Sequence, residues 1–209
     1  MKITKPKPVN QQVYDYLFNQ IIEGTLPAGT RLSEDKISEQ MGVSRTPVRE
    51  SILKLEHEGL LRNKCVIEPT LQEINECYEV RILLESYAAK KAATIMSTEE
   101  KSRLKELLVS AKDSDFGTAM KAHTEFHNTI VRACGNTYIA QQIERLQAII
   151  MICRQDIVRN RPELAHEHDL IYEAIFNGDE DLAESIMKQH LLENHQKVLS
   201  RLSVVGANV

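Results

Sequence analysis

Arg45 and Arg49 stand four residues apart in the segment Ser44-Arg-Thr-Pro-Val-Arg-Glu50, so both guanidiniums project from one face of a helix near its N-terminal end. A helix end carrying such a pair suits the major groove of duplex DNA, where one arginine can donate to guanine O6 and N7 together. Ser44 and Thr46, beside the free N–H groups of the same first turn, suit a backbone phosphate. Arg31, just ahead of the preceding helix, can reach the backbone or a base. Ordinary surface helices with solvated arginines show the same spacing, so the surrounding elements must decide between the two readings.

Histidines make the second set. His123 and His127 form an i,i+4 pair on one helical face. His168 lies ten residues before Gly178 and His190 eleven after Asp179. In an antiparallel helical hairpin each then sits roughly 15 Å from the turn, at about 1.5 Å per residue. Three helices can thus bring four imidazoles to one level of a bundle, a cluster suited to a divalent transition metal, with Zn²⁺ and Ni²⁺ the leading candidates. Packing histidines are the plainer alternative for any one of them. His166 points away from His168, and His195 reads as a surface or supporting residue. A metal enzyme on a helical bundle fits poorly. The pair reads His-Thr-Glu-Phe-His, which turns Glu125 about 200° from the first histidine, whereas a zinc protease needs its glutamate at the next position. Paired Glu-x-x-His motifs for a di-iron centre are missing, as is a nucleophile with a neighbouring base.

The elements that must position these groups are helical. The 209 residues are 42% hydrophobic and 27% charged, with 5% aromatics, eight glycines and no tryptophan, which disfavours β-sandwiches and glycine-rich nucleotide folds. Apolar runs are too short for a membrane span, and the N-terminus has no apolar stretch behind its basic residues, so a cytoplasmic protein is expected. Four scattered cysteines suggest reduced, packed thiols. Residues 1–69 carry ten Lys and Arg against nine Asp and Glu, net +1, and the remainder carries net −5, which gives −4 for the chain. The nearly neutral first part must therefore sort its charges, with Arg31, Lys36, Arg45 and Arg49 on one side and Asp15, Glu23, Glu56 and Glu58 elsewhere. It reads as three helices and a short β-prone stretch: Val13, Leu17 and Ile21 mark the first, Ser33 and Gly42 bound the second, and Ser44 and Gly59 bound the third. Pro69 and a capping box at Thr70-Leu-Gln-Glu73 mark a domain boundary. Residues 70–209 then read as about six helices: roughly 70–95, 98–112, 115–134, 137–159, 163–177 and 180–202, with breaks at Gly135, Pro162 and Gly178. Asn136 is expected to cap rather than to bind.

The run LPAGTRLSEDKISEQMGVSRTPVRESILKLEHEGLL resembles the DNA-binding domain of the GntR family of bacterial transcription regulators, most specifically in SRTPVRE. The resemblance implies a winged helix-turn-helix over residues 1–69 whose DNA contacts match Arg31, Arg45, Thr46 and Arg49. The wing is short, only Leu60 to Glu68, and lacks the glycine of its relatives; Asn63-Lys64 can make a tight turn. From Thr70 onward YEVRILLE, HTEFHNTIVRACGN and EHDLIYEAIFNGDEDLAESIMKQHL resemble the all-helical FCD effector domain of the FadR-type branch. That resemblance implies a metal at the positions of His123, His127, His168 and His190, with His123 standing where relatives have Asp. An imidazole there removes a negative charge and favours an anionic ligand, or leaves His123 unbound. It also makes Arg81 a candidate partner for an effector carboxylate; a surface salt bridge with Glu85 is the alternative. The expected protein is mainly α. It is a cytoplasmic homodimer that reads a palindromic operator, expected to repress, with its affinity set by a small organic acid at a metal in the FCD bundle. A regulator for which the metal itself is the signal would share every ligand.

Overall fold

The structure, a computed structural model, describes residues 7–112, 114–160 and 163–206. The expected break at Pro162 lies outside the described residues. The chain divides into two compact units, Met1–Glu68 and Pro69–Val209.

In the first unit, α1 (Val9–Ile22), α2 (Glu34–Met41) and α3 (Arg45–His57) pack around Val13, Leu17, Ile21, Val48, Ile52 and Leu55, the apolar positions whose helical spacing marks them in the sequence. Ser33 caps α2 by accepting from the Lys36 N–H, and Gly42 ends it in the left-handed conformation that glycine adopts without strain. That leaves Val43-Ser44 as the tight connection to α3. Ser44 occupies the N-cap position of α3, but its hydroxyl makes no capping bond, contrary to the expected cap. The wing is a minimal hairpin. Strands β1 (Leu61–Arg62) and β2 (Cys65–Val66) pair Leu61 with Val66 and Arg62 with Cys65 across an Asn63-Lys64 turn. Both turn residues have positive φ, 53° and 60°, as a two-residue turn matching strand twist demands. Thr30 to Leu32 extends this hairpin: Val66 N–H donates to the Thr30 carbonyl at 2.9 Å, and Leu32 N–H to that of Lys64 at 2.8 Å.

Among the described residues the second unit is a bundle of six helices: α4 (Leu71–Ile95), α5 (Thr98–Ala111), α6 (Phe116–Ala133), α7 (Thr137–Asn160), α8 (Leu164–Asn177) and α9 (Glu180–Gly206). Thr70 with Glu73 and Ser97 with Glu100 form the two capping boxes, Asp115 caps α6, and the Asn136 side chain accepts from the first N–H groups of α7. Helix α4 is the spine, packed along α9 and against α6, α7 and α8. Its buried Ala89, Ala92 and Ala93 let α9 approach closely, where Ala183, Met187 and Leu191 complete the core with Phe126, Ile130, Ile171 and Ile175. Gly178, left-handed at the end of α8, reverses the chain into α9. All four cysteines are free, three of them buried. Among the described residues no helix is long and apolar enough to cross a membrane.

Candidate functional site

In the first unit, the start of α3 presents Ser44, Arg45, Thr46 and Arg49 as exposed side chains, and Arg31 is exposed on the strand-like segment beside the wing. The expected sorting of charge by face is only partial. Asp15 pairs with Lys7 and Glu58 accepts from Tyr14, but two acids of the first turn of α2 stand among the arginines. Arg45 Nε lies 2.6 Å from Asp35 Oδ1, and Arg49 Nη2 lies 3.0 Å from Glu34 Oε2. Glu34 also takes Lys64 Nζ at 2.7 Å, tying the wing turn to the front of α3. Hydrogen bonds from Lys64 and Arg49 hold the Glu34 carboxyl below its ordinary range. The guanidiniums are thus pre-positioned by pairs that a phosphate or a base can replace.

In the second unit, α6 supplies His123 and His127, α8 supplies His168 and α9 supplies His190, and all four imidazoles are buried. The matched heights across the α8–α9 turn are realised, with His168 Nε2 3.3 Å from His190 Nε2. His127 Nε2 lies 3.2 Å from the same His168 nitrogen. Three Nε2 atoms therefore converge, and His127, His168 and His190 form a set that could hold a metal. The spacing fits: with Zn–N near 2.0–2.1 Å, ligand nitrogens stand about 3.4 Å apart in a tetrahedron and about 3.0 Å at an octahedral right angle. Each convergent ring is also held from behind. His127 Nδ1 donates to Glu85 Oε2 at 2.7 Å, and His190 Nδ1 to Glu167 Oε2 at 2.7 Å, which leaves both Nε2 lone pairs facing inward. His168 Nδ1 meets His123 Nδ1 at 2.9 Å, so His123 stands behind His168 rather than among the converging atoms. Phe126 stacks on His168 at 4.5 Å between centroids and fixes its plane. Asn194 Nδ2 lies 3.0 Å from His190 Nε2, an amide that must turn aside for a metal. Burial pushes His123 and His127 down to about 3 and His168 well below its usual value, so these rings are neutral and ready to ligate.

The ring cluster opens on a small cavity of about 10 Å³, room for about one water, lined also by Tyr78, Arg81, Arg154, Ile157, Leu164 and Asn194. Arg81 is 2% exposed; it does pair with Glu85, Nε to Oε1 at 2.7 Å, but the pair is buried where a surface bridge was the expected alternative to effector binding. Burial raises the Glu85 carboxyl, and Arg81 and His127 outweigh it, holding the group well below the carboxylate range. Glu125 lies on a more open surface and pairs with Arg132, far in role from a catalytic base.

Two family models match the chain: the bacterial regulatory proteins of the gntR family over residues 9–64, and the FCD domain over residues 76–193. The chain belongs to the GntR regulators that carry an FCD domain. Among curated proteins it is 29% identical over 204 residues to YdhC, an uncharacterized HTH-type transcriptional regulator of Bacillus subtilis, covering 91% of this chain and 89% of that one. It is 27% identical over 209 residues to the HTH-type transcriptional repressor RspR of Escherichia coli K12, covering 94% and 92%. A solved GntR transcriptional regulator from Rhodococcus sp. RHA1 superposes with a TM-score of 0.75 at 25% identity, over 91% of this chain and 97% of that one. This GntR protein is therefore a DNA-binding transcriptional regulator and not an enzyme. Three residues of its FCD bundle escape the sequence reading: Glu85 as the anchor of His127, Glu167 as the anchor of His190, and Arg154 in the cavity wall. Glu85 and Arg81 at i,i+4 signal a pair without signalling which way it faces. Glu167 adjoins His168 in sequence yet serves the next helix, and Arg154 in MICRQDIVRN looks like any solvated arginine.

Proposed function

We propose that this protein is a homodimeric repressor whose operator affinity is set by a small organic acid bound beside a divalent transition metal in the FCD bundle. The observation that carries this reading is the convergence of three buried Nε2 atoms, each on a ring whose other nitrogen is held. His127, His168 and His190 would hold the ion, Zn²⁺ or Ni²⁺, and His123 would orient His168 by accepting its Nδ1–H. An ion held by three neutral imidazoles keeps its full positive charge and open positions, which suits a carboxylate; Arg81 in the cavity wall adds to the positive surroundings. Repression is supported by relatives such as RspR and the gluconate operon repressors of Bacillus. Arg45 and Arg49 would read bases, Ser44 and Thr46 would take phosphates, and Arg31 would reach the groove beside the wing. A second copy is supported by Val80, Leu83 and Tyr87, an exposed apolar stripe at helical spacing on α4. Two copies would read two half-sites of a palindrome.

The reading is tested by elemental analysis and native mass spectrometry of gently purified protein, followed by gel shifts titrated with metal and then with acids at saturating metal. About one Zn or Ni per chain, a dimer mass and an acid-dependent shift are expected. His168→Ala should lower metal content and thermal stability together; equal metal content would remove the site. A response to metal alone, with no response to any acid, would make the metal itself the signal.

A further inference from the structure

The wing is a small sheet with two unlike faces. Arg62 pairs with Cys65 across the hairpin, and Cys65 pairs antiparallel with Arg31, which makes residues 30–32 a third, strand-like edge. Residues directly opposite in an antiparallel ladder point to the same face, and neighbours along a strand to opposite faces. That alternation is visible in the burial. Leu32, Leu61 and Val66 are buried, whereas Arg31 and Arg62 are exposed and Cys65 is half-buried. The outer face therefore runs Arg31, Cys65, Arg62 across the strands, with the arginine Cα atoms about 10 Å apart, two strand spacings. Like charges in one row of a sheet repel, and the residue between these two is not an acid. Around the start of α3 the cations are balanced by α2: Arg45 pairs with Asp35, and Arg49 and Lys64 share Glu34. Arg31 forms no ion pair among the described residues. The shared Glu34 also makes the outer face continuous with the N-terminal end of α3, since Lys64 adjoins Cys65 in the chain. Besides Lys64, Arg62 is the hairpin's only cation.

We infer that the outer face of the wing, rather than its tip, is a second contact with duplex DNA: Arg31 and Arg62 take backbone phosphates on either side of Cys65. This rests on the reading above in which α3 and Arg31 meet DNA, and it adds Arg62 as a residue that positions α3 on the duplex. A row of like charges that repels itself in the free protein is favourable against a polyanion, where each guanidinium displaces a condensed counterion. The planar fork of arginine fits phosphate oxygens. Contacts of this kind fix orientation and register without selecting a base, which suits a wing whose strands are two residues long.

The test uses the full chain with two probes, a duplex that the protein selects from a random pool and a scrambled duplex of equal length. Affinity is measured by fluorescence anisotropy across a salt series. Arg62→Gln should bind both duplexes about tenfold more weakly at low salt and lower the slope of log affinity against log salt by about one. The ratio between the two duplexes should stay as it is. Arg31→Gln with Arg62→Gln should lower the slope by about two, and Arg62→Lys, which keeps the charge, should restore most of it. Cys65 supplies a readout on wild type. Iodoacetamide should label it in the free protein, the other three cysteines being buried, and saturating duplex should abolish that labelling. If Arg62→Gln fails to fold, the Cys65 labelling decides alone. An unchanged slope in a folded Arg62→Gln protein, or Cys65 labelled equally with and without duplex, would overturn the inference. So would a Cys65 that resists the reagent in free protein, because the face would then be closed. A fallen ratio between duplexes would replace phosphate contact by base reading. A slope lowered by Arg31→Gln and not by Arg62→Gln would sink this inference and leave the reading of α3 and Arg31 standing. No binding of wild type to either duplex would sink both.

Discussion

Three histidines held neutral by burial make the stability of the metal-free bundle depend on pH. His123 and His127 are pushed down to about 3, and His168 is also held well below its usual value by burial and by its neighbouring histidines. In the unfolded chain each takes up a proton near pH 6.5, whereas the folded bundle refuses it. Their contribution to stability is therefore complete above pH 6.5 and is lost as pH falls toward 3. Each proton contributes about 1.4 kcal/mol per pH unit, so three give a slope on the order of 4 kcal/mol per unit below pH 6. Urea midpoints of metal-free protein at pH 7.5, 6.0 and 5.0 check this; a flat profile would mean that the rings are solvated. The same residue-scale reasoning applies to Glu34, which holds Arg49 and Lys64 at the N-terminal end of α3. Glu34→Gln should tighten binding to any duplex and steepen the salt dependence by about one ion, since a carboxylate that competes with phosphate is gone. Preference for the selected operator should fall, because Arg49 loses the group that aims it. Gel shifts across a salt series on specific and random duplexes read both effects.

At the scale of elements, the wing is built around an Asn-Lys turn in which both residues hold positive φ. Asparagine tolerates that conformation and lysine does so at a cost. Lys64→Gly should remove this strain and stabilise the first unit by about 0.5–1 kcal/mol, offset in part by the lost Glu34 pair. DNA affinity should fall only by one phosphate contact, because a hairpin of two-residue strands presents little else. Thermal unfolding and a salt-titrated gel shift separate the two quantities, and a collapse of sequence preference would show that this wing reads bases. Helix limits are the part of the fold most legible in the chain, because Ser33, Thr70, Ser97, Asp115, Gly42 and Gly178 act through local hydrogen bonds and local backbone conformation. The level of the histidines is legible too, since rise per residue and one tight turn determine it. Which nitrogen faces inward is not, because it depends on Glu85 and Glu167 arriving from other helices. Arg154 is invisible for a similar reason: a cation buried against its own preference leaves no periodic trace, and only the packed bundle reveals it.

At the scale of the whole molecule, on the proposed reading the link from ligand to DNA would pass through the arrangement of two copies, since a symmetric operator would be read by a symmetric pair. Helix α4 bears on this directly. Its inner face carries Arg81 and Glu85 beside the histidine cluster, and its outer face exposes Val80, Leu83 and Tyr87. Leu83, 70% exposed and flanked by the other two, would lie near the middle of an interface built on this stripe. Leu83→Asp adds a charge that a pair of copies would have to bury twice, which costs several kcal/mol at a symmetric contact. The expected outcome is a shift from dimer to monomer in analytical ultracentrifugation at micromolar concentration. Metal content should be unchanged, because all three ligand nitrogens belong to one chain. Operator affinity should fall by at least about a hundredfold, since one half-site alone holds each copy. Binding to an isolated half-site should stay as it was, which distinguishes lost pairing from a damaged fold. A Leu83→Asp protein that remains dimeric would move the interface to another face, and the connection from cavity to α4 to partner would have to be sought there.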